Sequence, residues 1–587
     1  MNRIKYIPIL VFSMSIFMAL NTFGQKDKLS VYGSGRFVLQ NNSRTGQLFE
    51  QTVLNTDTLA PDTVNTRREI GGVALFDLGF HFKPNSNTEV KVLTRVTGDL
   101  DGFWGAGIGF NFREMYVRGL FKNIIRYRVG DLDLKMTPFT LYNSDPDLRS
   151  HSLSSLNVYR DIIEYENFHT DNRWRQQGAQ VELKLNVGKK DELDINGHIT
   201  KNRHTDYFFV PDRVMAGGQA IFHKKGLGRF GYQINSFFEL AKTAQFADGA
   251  RATTVQSVTA EVSPLKNSNQ VFYGELGLSH QGYSEIDNAP ESDSDLAFNA
   301  GVRLPIDDGK WGWYAEFMHV ASGFRSPGAQ SRRLNPTAAT SNLTYYSNQE
   351  LQRPISVFDI VQDATIYNNT IQMGLSSYNP AFSNAQPYGK ATPNRQGLLL
   401  GLARSNDSLM VTKVALDAGY LTEISGRGIN EFRNFTFIDL SAQVDLKQLF
   451  AASKSTLVDV HVKFENTSRK GLQEDNPAIA GIGEINLSSA LVEIGLSQEI
   501  SGGLYADVGV LMFNANGNEF TALHNEFTEV IDYVSADHDY SDLTFMGGLR
   551  YEFSANSTFL AQVRNSSIDN ALAEQYNYKW NQFVLVY

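Results

Sequence analysis

Most of the chain alternates apolar and polar positions in segments of about ten residues that end at turn residues. In residues 74–83, the apolar side chains occupy the even positions, while Asp77 and His81 lie among the odd ones. A strand places successive side chains on opposite faces, whereas a helix would scatter these residues around its circumference. The pattern therefore predicts strands. The same period of two recurs in residues 179–187, 192–201, 458–465 and 543–553.

The connections between the predicted strands alternate in length, and this alternation indicates how the strands are arranged. Short connections lie at 84–88, 121–123, 188–191, 224–229, 264–269, 405–408, 501–503 and 555–557. Longer polar stretches lie at 41–70, 136–175, 241–251, 282–295, 322–394, 467–485 and 516–540. Short turns at one end and long loops at the other are typical of outer-membrane barrels. Counting from Val31 to the last strand gives about 22 strands, in a range of about 18 to 24.

The sequence thus predicts an all-β fold: a single transmembrane, antiparallel, up-and-down β-barrel over residues 26–587. Its long loops would be extracellular and its short turns periplasmic, because an even strand number returns both chain ends to one side. A soluble sandwich with a solvated charged face is the alternative. The C-terminal sequence favours the barrel, since Phe583, Leu585 and Tyr587 share a face in the last strand. These three residues resemble the C-terminal signal that barrel-assembly machinery recognises.

Composition agrees with strands rather than membrane helices. Hydrophobic residues make up 42% and aromatic residues 12% of the chain, yet the mean hydropathy is −0.28. A helical membrane protein would contain several apolar runs of about 20 residues. The one long apolar stretch, at 7–20, follows Arg3 and Lys5. We interpret residues 1–24 as a cleaved signal peptide, because the apolar run is shorter than a membrane span requires. A membrane anchor is the alternative.

Several classes of function are excluded by the residues that the chain lacks. The absence of cysteine excludes disulfides, thiolate metal sites and a lipid-modified N-terminal cysteine. A net charge of −10 argues against nucleic acid as a partner. Adjacent strand residues such as Ser279 and His280 point to opposite faces and cannot act together in catalysis. The acidic clusters at 287–295 and 537–542 lack the pattern of a calcium loop, and we interpret them as solvated loop charge.

We therefore expect a non-enzymatic integral protein of the outer membrane, without a cofactor, a metal or catalytic residues. Its expected partners are outer-membrane lipids and lipopolysaccharide, and the barrel-assembly machinery during biogenesis. Other outer-membrane proteins are further candidate partners.

Two neighbouring segments carry a family resemblance. They read FREMYVRG at 112–119 and RYRVGDLDL at 126–134. The pair resembles two strands of alginate-export-type and related porin-like outer-membrane barrels of Bacteroidota type. The resemblance spans a small part of the 587 residues and implies the barrel class rather than a substrate. The matching residues are Arg113, Glu114, Tyr116 and Val117, then Arg128, Val129, Gly130 and Asp131.

The charged face of the strands near this motif supplies candidate residues for selectivity. A cationic lumen wall would favour anionic or hydroxyl-rich solutes by electrostatic focusing and bidentate hydrogen bonding. In the alternative, which we favour, these charges pair along the lumen with Asp77, Glu89, Glu114 or Asp99. The candidate lumen-lining residues are Lys91, Arg95, Arg118, Arg126, Arg128, Asp77, His81 and Glu114.

The leading functional hypothesis is a porin-like channel that passes or exports small polar solutes or saccharides. In such a channel the long segments 136–175 and 322–394 either fold into or over the lumen or remain external loops. A second hypothesis is a structural or assembly subunit of an outer-membrane secretion or biogenesis complex, which would have a blocked lumen. A third is a surface adhesin or receptor that binds through 322–394.

Overall fold

A computed structural model gives the fold of most of the predicted barrel. The predicted signal peptide, 1–24, lies outside the described residues. The described residues are 28–46, 50–51, 62–63, 66–99, 108–142, 153, 175–188, 190–203, 205–209, 211–246, 249–264, 269–284, 293–305, 311–329, 385–386, 389–426, 431–447, 454–472, 483–525, 530–570 and 578–587.

The described residues form strands almost throughout. Two short 3-10 helices, Ala241–Thr243 and Gly389–Ala391, occur between strands. The strands are β1 Leu29–Gly46, β2 Glu50–Gln51, β3 Asp62–Thr63, β4 Thr66–Asn85, β5 Thr88–Asp99, β6 Ile108–Phe121, β7 Ile125–Asp133, β8 Arg175–Val187, β9 Asp191–Arg203, β10 Asp212–Lys224, β11 Gly228–Leu240, β12 Ala250–Val262, β13 Val271–Ser284, β14 Asp293–Leu304, β15 Gly312–Val320, β16 Arg395–Ser405, β17 Val411–Thr422, β18 Asn434–Asp445, β19 Thr456–Arg469, β20 Ile485–Ser501, β21 Leu504–Asn525, β22 Val530–Ser554, β23 Ser557–Asn570 and β24 Tyr578–Val586. No helix in the described part of the chain is long and apolar enough to cross a membrane.

All strands except β2 and β3 belong to one closed antiparallel sheet of 22 strands. Sequential strands are neighbours, and β1 closes the ring by pairing with both β4 and β24. At the seam, Phe37 and Tyr587 exchange two backbone hydrogen bonds of 2.9 Å. Closure gives strands partners on both sides and so satisfies their backbone groups. The predicted all-β barrel class and the strand number are confirmed.

The two faces of the sheet differ in polarity as the alternation predicts. On β4, Phe76 is 46% exposed on the outside, while Asp77 is 4% exposed on the inside. On β13, the outward Leu276 is 57% exposed and the inward Glu275 is 5% exposed. A sheet with an apolar exterior and a charged interior suits lipid outside and water inside.

The segment 516–540 differs from its prediction as a long loop. Strands β21 and β22 pair continuously to Asn525 and Val530. Their neighbours stop earlier, at Asn518 for pairing with β20 and at Tyr540 for pairing with β23. Residues 519–525 and 530–536 thus extend the hairpin as a two-stranded ribbon. Beyond the bilayer a strand needs no apolar residue at alternate positions, so hydropathy did not reveal it.

Part of the acidic clusters lies in strands rather than in loops. Asp287 and Glu291 lie outside the described residues. Asp293 and Asp295 lie in β14, and Asp537, Asp539 and Asp542 lie in β22. Strand pairing, which hydropathy does not report, places them there.

Candidate functional site

Three cations surround one aromatic ring on the inner wall of β5, β6 and β7. The register pairs Lys91 with Tyr116 and Arg118 with Arg128, so all four side chains share the inward face. The ring centroid of Tyr116 lies 4.1 Å from the guanidinium of Arg128, 5.7 Å from that of Arg118 and 5.9 Å from Nζ of Lys91. Cations at such distances are attracted to the ring face. We call Lys91, Tyr116, Arg118 and Arg128 the basic strip.

Carboxylates hold the cations of the basic strip. The carboxylate of Glu114 forms an ion pair with Nζ of Lys91 at 2.7 Å, and it lies 3.5 Å from the guanidinium of Arg128. Glu89 pairs with Arg118 and lies 3.2 Å from Nε2 of His81. Three cations therefore face two carboxylates, which leaves one net positive charge with His81 neutral. The side chain of Arg118 is 49% exposed and that of Lys91 is 27% exposed, so solutes in the interior can reach this charge.

A second, buried group of charges lies higher on the same wall. The guanidinium of Arg95 donates to both oxygens of Asp77, with 2.6 Å between Nη2 and Oδ2. Arg113 lies 3.4 Å from the same carboxylate. The register shifts between Leu93 and Thr94, because Arg113 is an extra residue on β6. A bulge of this kind turns a side chain to the other face, and it places Arg113 and Glu114 both inside.

Strict alternation assigns Arg113 to the lipid face, and for this reason the sequence analysis did not place it in the lumen. The available signal was the adjacency of two charged residues, Arg113 and Glu114. Neither belongs in lipid, so one extra residue is needed to turn both inward.

The predicted lumen residues all lie on the inner wall, but they do not form one group. Lys91, Arg118, Arg128, Glu114 and His81 meet at the basic strip. Asp77 and Arg95 form the buried pair above it. Arg126 stands apart near the turn end, 3.3 Å from Glu182, with its side chain 70% exposed. Each predicted cation thus has a carboxylate partner, as in the pairing alternative, although the side chain of Asp99 lies outside the described residues. Their role in selectivity stays a prediction.

Segments that follow β7 and β15 lie inside the barrel and bond to each other. The hydroxyl of Thr137 donates to Glu275 and lies 3.3 Å from Ser257, both on the inner wall. The hydroxyl of Ser326 donates to the carbonyl of Phe139 at 2.7 Å. The amide of Tyr142 donates to the carbonyl of Gly328 at 2.9 Å. We call residues 134–142, 321–329, 385–386 and 389–394 the inner wedge.

The part of the inner wedge before β16 binds carboxylates of the nearby wall strands β15 and β19. Lys390 donates to both oxygens of Glu316, at 2.8 and 3.0 Å. The amide of Ala385 donates to Glu465 at 2.8 Å. Arg395, at the start of β16, donates to the carbonyl of Ala385 at 2.9 Å. These wall carboxylates are therefore occupied by the chain itself.

The inner wedge also has an apolar core, which is unusual for the interior of a membrane barrel. Phe139 and Phe324 are fully buried and meet edge to face, with 5.9 Å between ring centroids. They pack in one cluster with wall residues that include Met318, Leu399 and Phe435. A close-packed apolar core resists deformation. The inner wedge is therefore a fixed part of the barrel.

The inner wedge reaches from the end of β7, beside the basic strip, to the wall on the other side of the interior. Its Leu134 and Leu141 form a cluster with Leu132 of β7, whereas its later part lies beside β16, which is eleven strands from β5 in the ring of 22. The long loop that begins after β7 touches a further wall, because Leu153 packs against Met546 of β22. The segment predicted at 136–175 therefore contacts β12, β13 and β22. Whether the whole of 136–175 and 322–394 lies inside stays a prediction, because 143–152, 154–174 and 330–384 lie outside the described residues.

Gly130 fixes the position of β7 beside the basic strip. Its φ of +110° is strained for other residues, and an added Cβ would lie 2.3 Å from the carbonyl oxygen of Met115. We expect Gly130→Ala to destabilise the barrel by about 1–3 kcal/mol and to lower its melting temperature in detergent. Gly547→Ala is the control, because that Cβ would meet open space. Equal melting temperatures for the two variants would contradict this role.

The closed even-stranded ring, its apolar exterior and its charged interior define a bacterial outer-membrane β-barrel protein. No protein-family model and no curated protein sequence matches the chain. Among solved structures it is similar to a BenF-like porin from Pseudomonas fluorescens, with 9% identity, 94% of this chain and 98% of that chain covered, and a TM-score of 0.32. It is similar to Wzi of Escherichia coli, a carbohydrate-binding barrel involved in group 1 capsule assembly, at 12% identity, 94% and 84% coverage, and a TM-score of 0.30. A third similar structure is OccK2 of Pseudomonas aeruginosa in complex with glucuronate, at 10% identity, 94% and 97% coverage, and a TM-score of 0.30. Likeness at this level assigns neither a family nor a solute.

Proposed function

We propose that the protein is a passive outer-membrane channel for small polar solutes, with a preference for anionic or hydroxyl-rich ones. The observation that carries this proposal is the solvent-exposed basic strip. Arg118, Lys91 and Arg128 have 49%, 27% and 22% of their side chains exposed inside the barrel. Charged side chains would not keep this exposure in a filled interior. Water-accessible space therefore borders β5, β6 and β7.

The basic strip attracts anions without trapping them. A solute carboxylate or hydroxyl can accept hydrogen bonds from Arg118 or Arg128, whose guanidinium groups suit bidentate contact. Glu89 and Glu114 compete for the same donors, so the solute exchanges with internal partners. Conduction requires binding that is favourable enough for entry and weak enough for release. A strip with one net positive charge meets both requirements.

A structural or assembly subunit is the second candidate, because the inner wedge fills part of the lumen with an apolar core. In that case the wedge would seal the barrel, and the basic strip would serve only internal pairing. The third candidate, an adhesin or receptor, depends on 322–394, of which 330–384 lies outside the described residues.

Single-channel recording of the purified protein in a planar bilayer separates the first two candidates. We expect steady current steps that grow with salt concentration. The reversal potential across a KCl gradient should show a preference for chloride over potassium, because the strip carries net positive charge. The folded state is verified by the altered gel mobility of the unboiled barrel. A silent bilayer with verifiably folded protein would reject the channel and favour the assembly subunit.

A further inference from the structure

Two neighbouring loops at the long-loop end are bonded into one unit. Residues 205–209 lie between β9 and β10, and residues 241–246 follow β11. The amide of Gln245 donates to the carbonyl of Tyr207 at 3.0 Å, and that of Phe246 donates to the carbonyl of Phe208 at 2.7 Å. The hydroxyl of Thr205 donates to the carbonyl of Thr243 at 2.9 Å. The loops therefore hold each other in place.

The first loop is also held internally. Oδ1 of Asp206 accepts hydrogen bonds from the backbone amides of Phe208 at 2.9 Å and Phe209 at 2.8 Å. The amide of Tyr207 donates to the hydroxyl of Thr205 at 2.8 Å. Tyr207 has a φ of +68°, which a bulky residue adopts only where its surroundings enforce it. The hydrogen bonds thus hold Tyr207 in a backbone conformation that is otherwise unfavourable for an aromatic residue.

This fixed unit presents four aromatic side chains to its surroundings. Tyr207 is 74% exposed, Phe208 56%, Phe209 68% and Phe246 53%. The rings of Phe209 and Phe246 lie 5.7 Å apart. We call these four residues the aromatic foot. A contiguous exposed apolar patch with a polar border marks an interaction surface, and none of the four residues is part of the basic strip or the inner wedge.

The loops that carry the aromatic foot attach to the outward side of the barrel. Asp212 accepts the amide of Thr205 at 2.8 Å and pairs with Lys201 at 2.8 Å. Lys201 continues the outward column of β9, in which Ile195 and Ile199 are 37% and 52% exposed. The inward positions beside them hold a different, buried ion pair, Arg213 with Glu239.

The second loop attaches in the same way. Leu240, which is 39% exposed, ends the outward column of β11 directly before residue 241. The aromatic foot is therefore continuous with the lipid-facing surface rather than with the lumen.

We propose that the aromatic foot seats in the headgroup region of the outer leaflet and anchors these two loops on the lipid surface. Aromatic residues favour the headgroup region because it borders the hydrocarbon core on one side and water on the other, and their rings suit this boundary. Lys242 is exposed beside the foot, and a lysine at such a position extends toward anionic lipid phosphates. The inference goes beyond the channel, because loop anchoring does not depend on conduction.

Fluorescence quenching tests this location directly, and the chain has no cysteine to interfere. Phe209→Cys carries an environment-sensitive label in vesicles of phosphatidylcholine and phosphatidylglycerol that contain brominated lipids. Lys470→Cys is the control, because residue 470 is exposed in another loop at the same end of the barrel. We expect brominated lipid to quench the label at 209 several-fold more than at 470. Iodide in the buffer should show the opposite order.

Equal iodide quenching at both sites, without quenching by brominated lipid at 209, would overturn the proposal. The foot would then project into the aqueous exterior and would suit a soluble saccharide or protein. Phe246→Cys repeats the measurement from the second loop, so that a folding defect in one variant leaves the test intact. Because current is not the readout, this result is independent of whether the barrel conducts.

Discussion

Replacing Lys91, Arg118 and Arg128 together by glutamine is expected to turn an anion-preferring channel into a cation-preferring one. The basic strip then loses three positive charges and keeps Glu89 and Glu114, so its net charge changes from +1 to −2. At several Å in a partly hydrated interior, such a change alters the energy of chloride relative to that of potassium by about 1–2 kcal/mol. We expect the chloride-to-potassium permeability ratio to fall roughly tenfold, since about 1.4 kcal/mol corresponds to that factor.

The measurement is the reversal potential in a KCl gradient at low and high salt, because screening should reduce the difference. The matched control replaces Lys184, Lys224 and Arg229 by glutamine. These replacements remove the same amount of positive charge near the turn end of the barrel. The three original side chains are 62%, 48% and 51% exposed. A ratio that is unchanged in the first triple variant, or equally changed in the control, would show that the basic strip does not set selectivity.

Replacing Phe139 and Phe324 by alanine is expected to raise the single-channel conductance and its noise. Both rings are fully buried in the core of the inner wedge, and truncation of a buried phenylalanine costs about 3–5 kcal/mol. The strand ladder does not depend on these side chains. The loss should therefore loosen the inner wedge while the barrel stays closed, and more of the lumen should become accessible to ions.

Conductance, gel mobility of the unboiled protein and limited proteolysis are measured on the same preparation. The control is Phe317→Ala, which removes an outward side chain of β15 that is 39% exposed. It should leave conductance unchanged. If the double variant gains protease sites in the inner wedge but keeps the original conductance, the wedge does not limit the path.

The basic strip was predictable in part. Alternation placed Lys91, Arg118 and Arg128 on the charged face, and this needs only the strand period of two. Their grouping around Tyr116 depends on the register between β5, β6 and β7, which hydropathy does not encode. The bulge at Arg113 is a further step, since one extra residue reverses the faces on either side of it.

The inner wedge shows why the rest could not be predicted. Its contacts join residues that are distant in the chain, such as Thr137 with Glu275 and Ser326 with Phe139. No local pattern around Thr137 or Ser326 marks a partner more than a hundred residues away. The aromatic foot could not be predicted for the same reason. In the sequence its side chains are ordinary loop aromatics, and only the contact between Thr205 and Thr243 shows that the two loops form one unit.

The sequence by itself determined the class of protein: an all-β chain, with turns and loops in alternation, that closes as an even-stranded barrel. It could do so because lipid forces every backbone group into a ladder and every second side chain to be apolar. These constraints act on each strand separately, so the sequence of each strand shows them. Only the tertiary structure decided which charges meet, which segments enter the lumen and which loops are bonded to each other. Those outcomes depend on register and on contacts between distant segments, which many different sequences can satisfy.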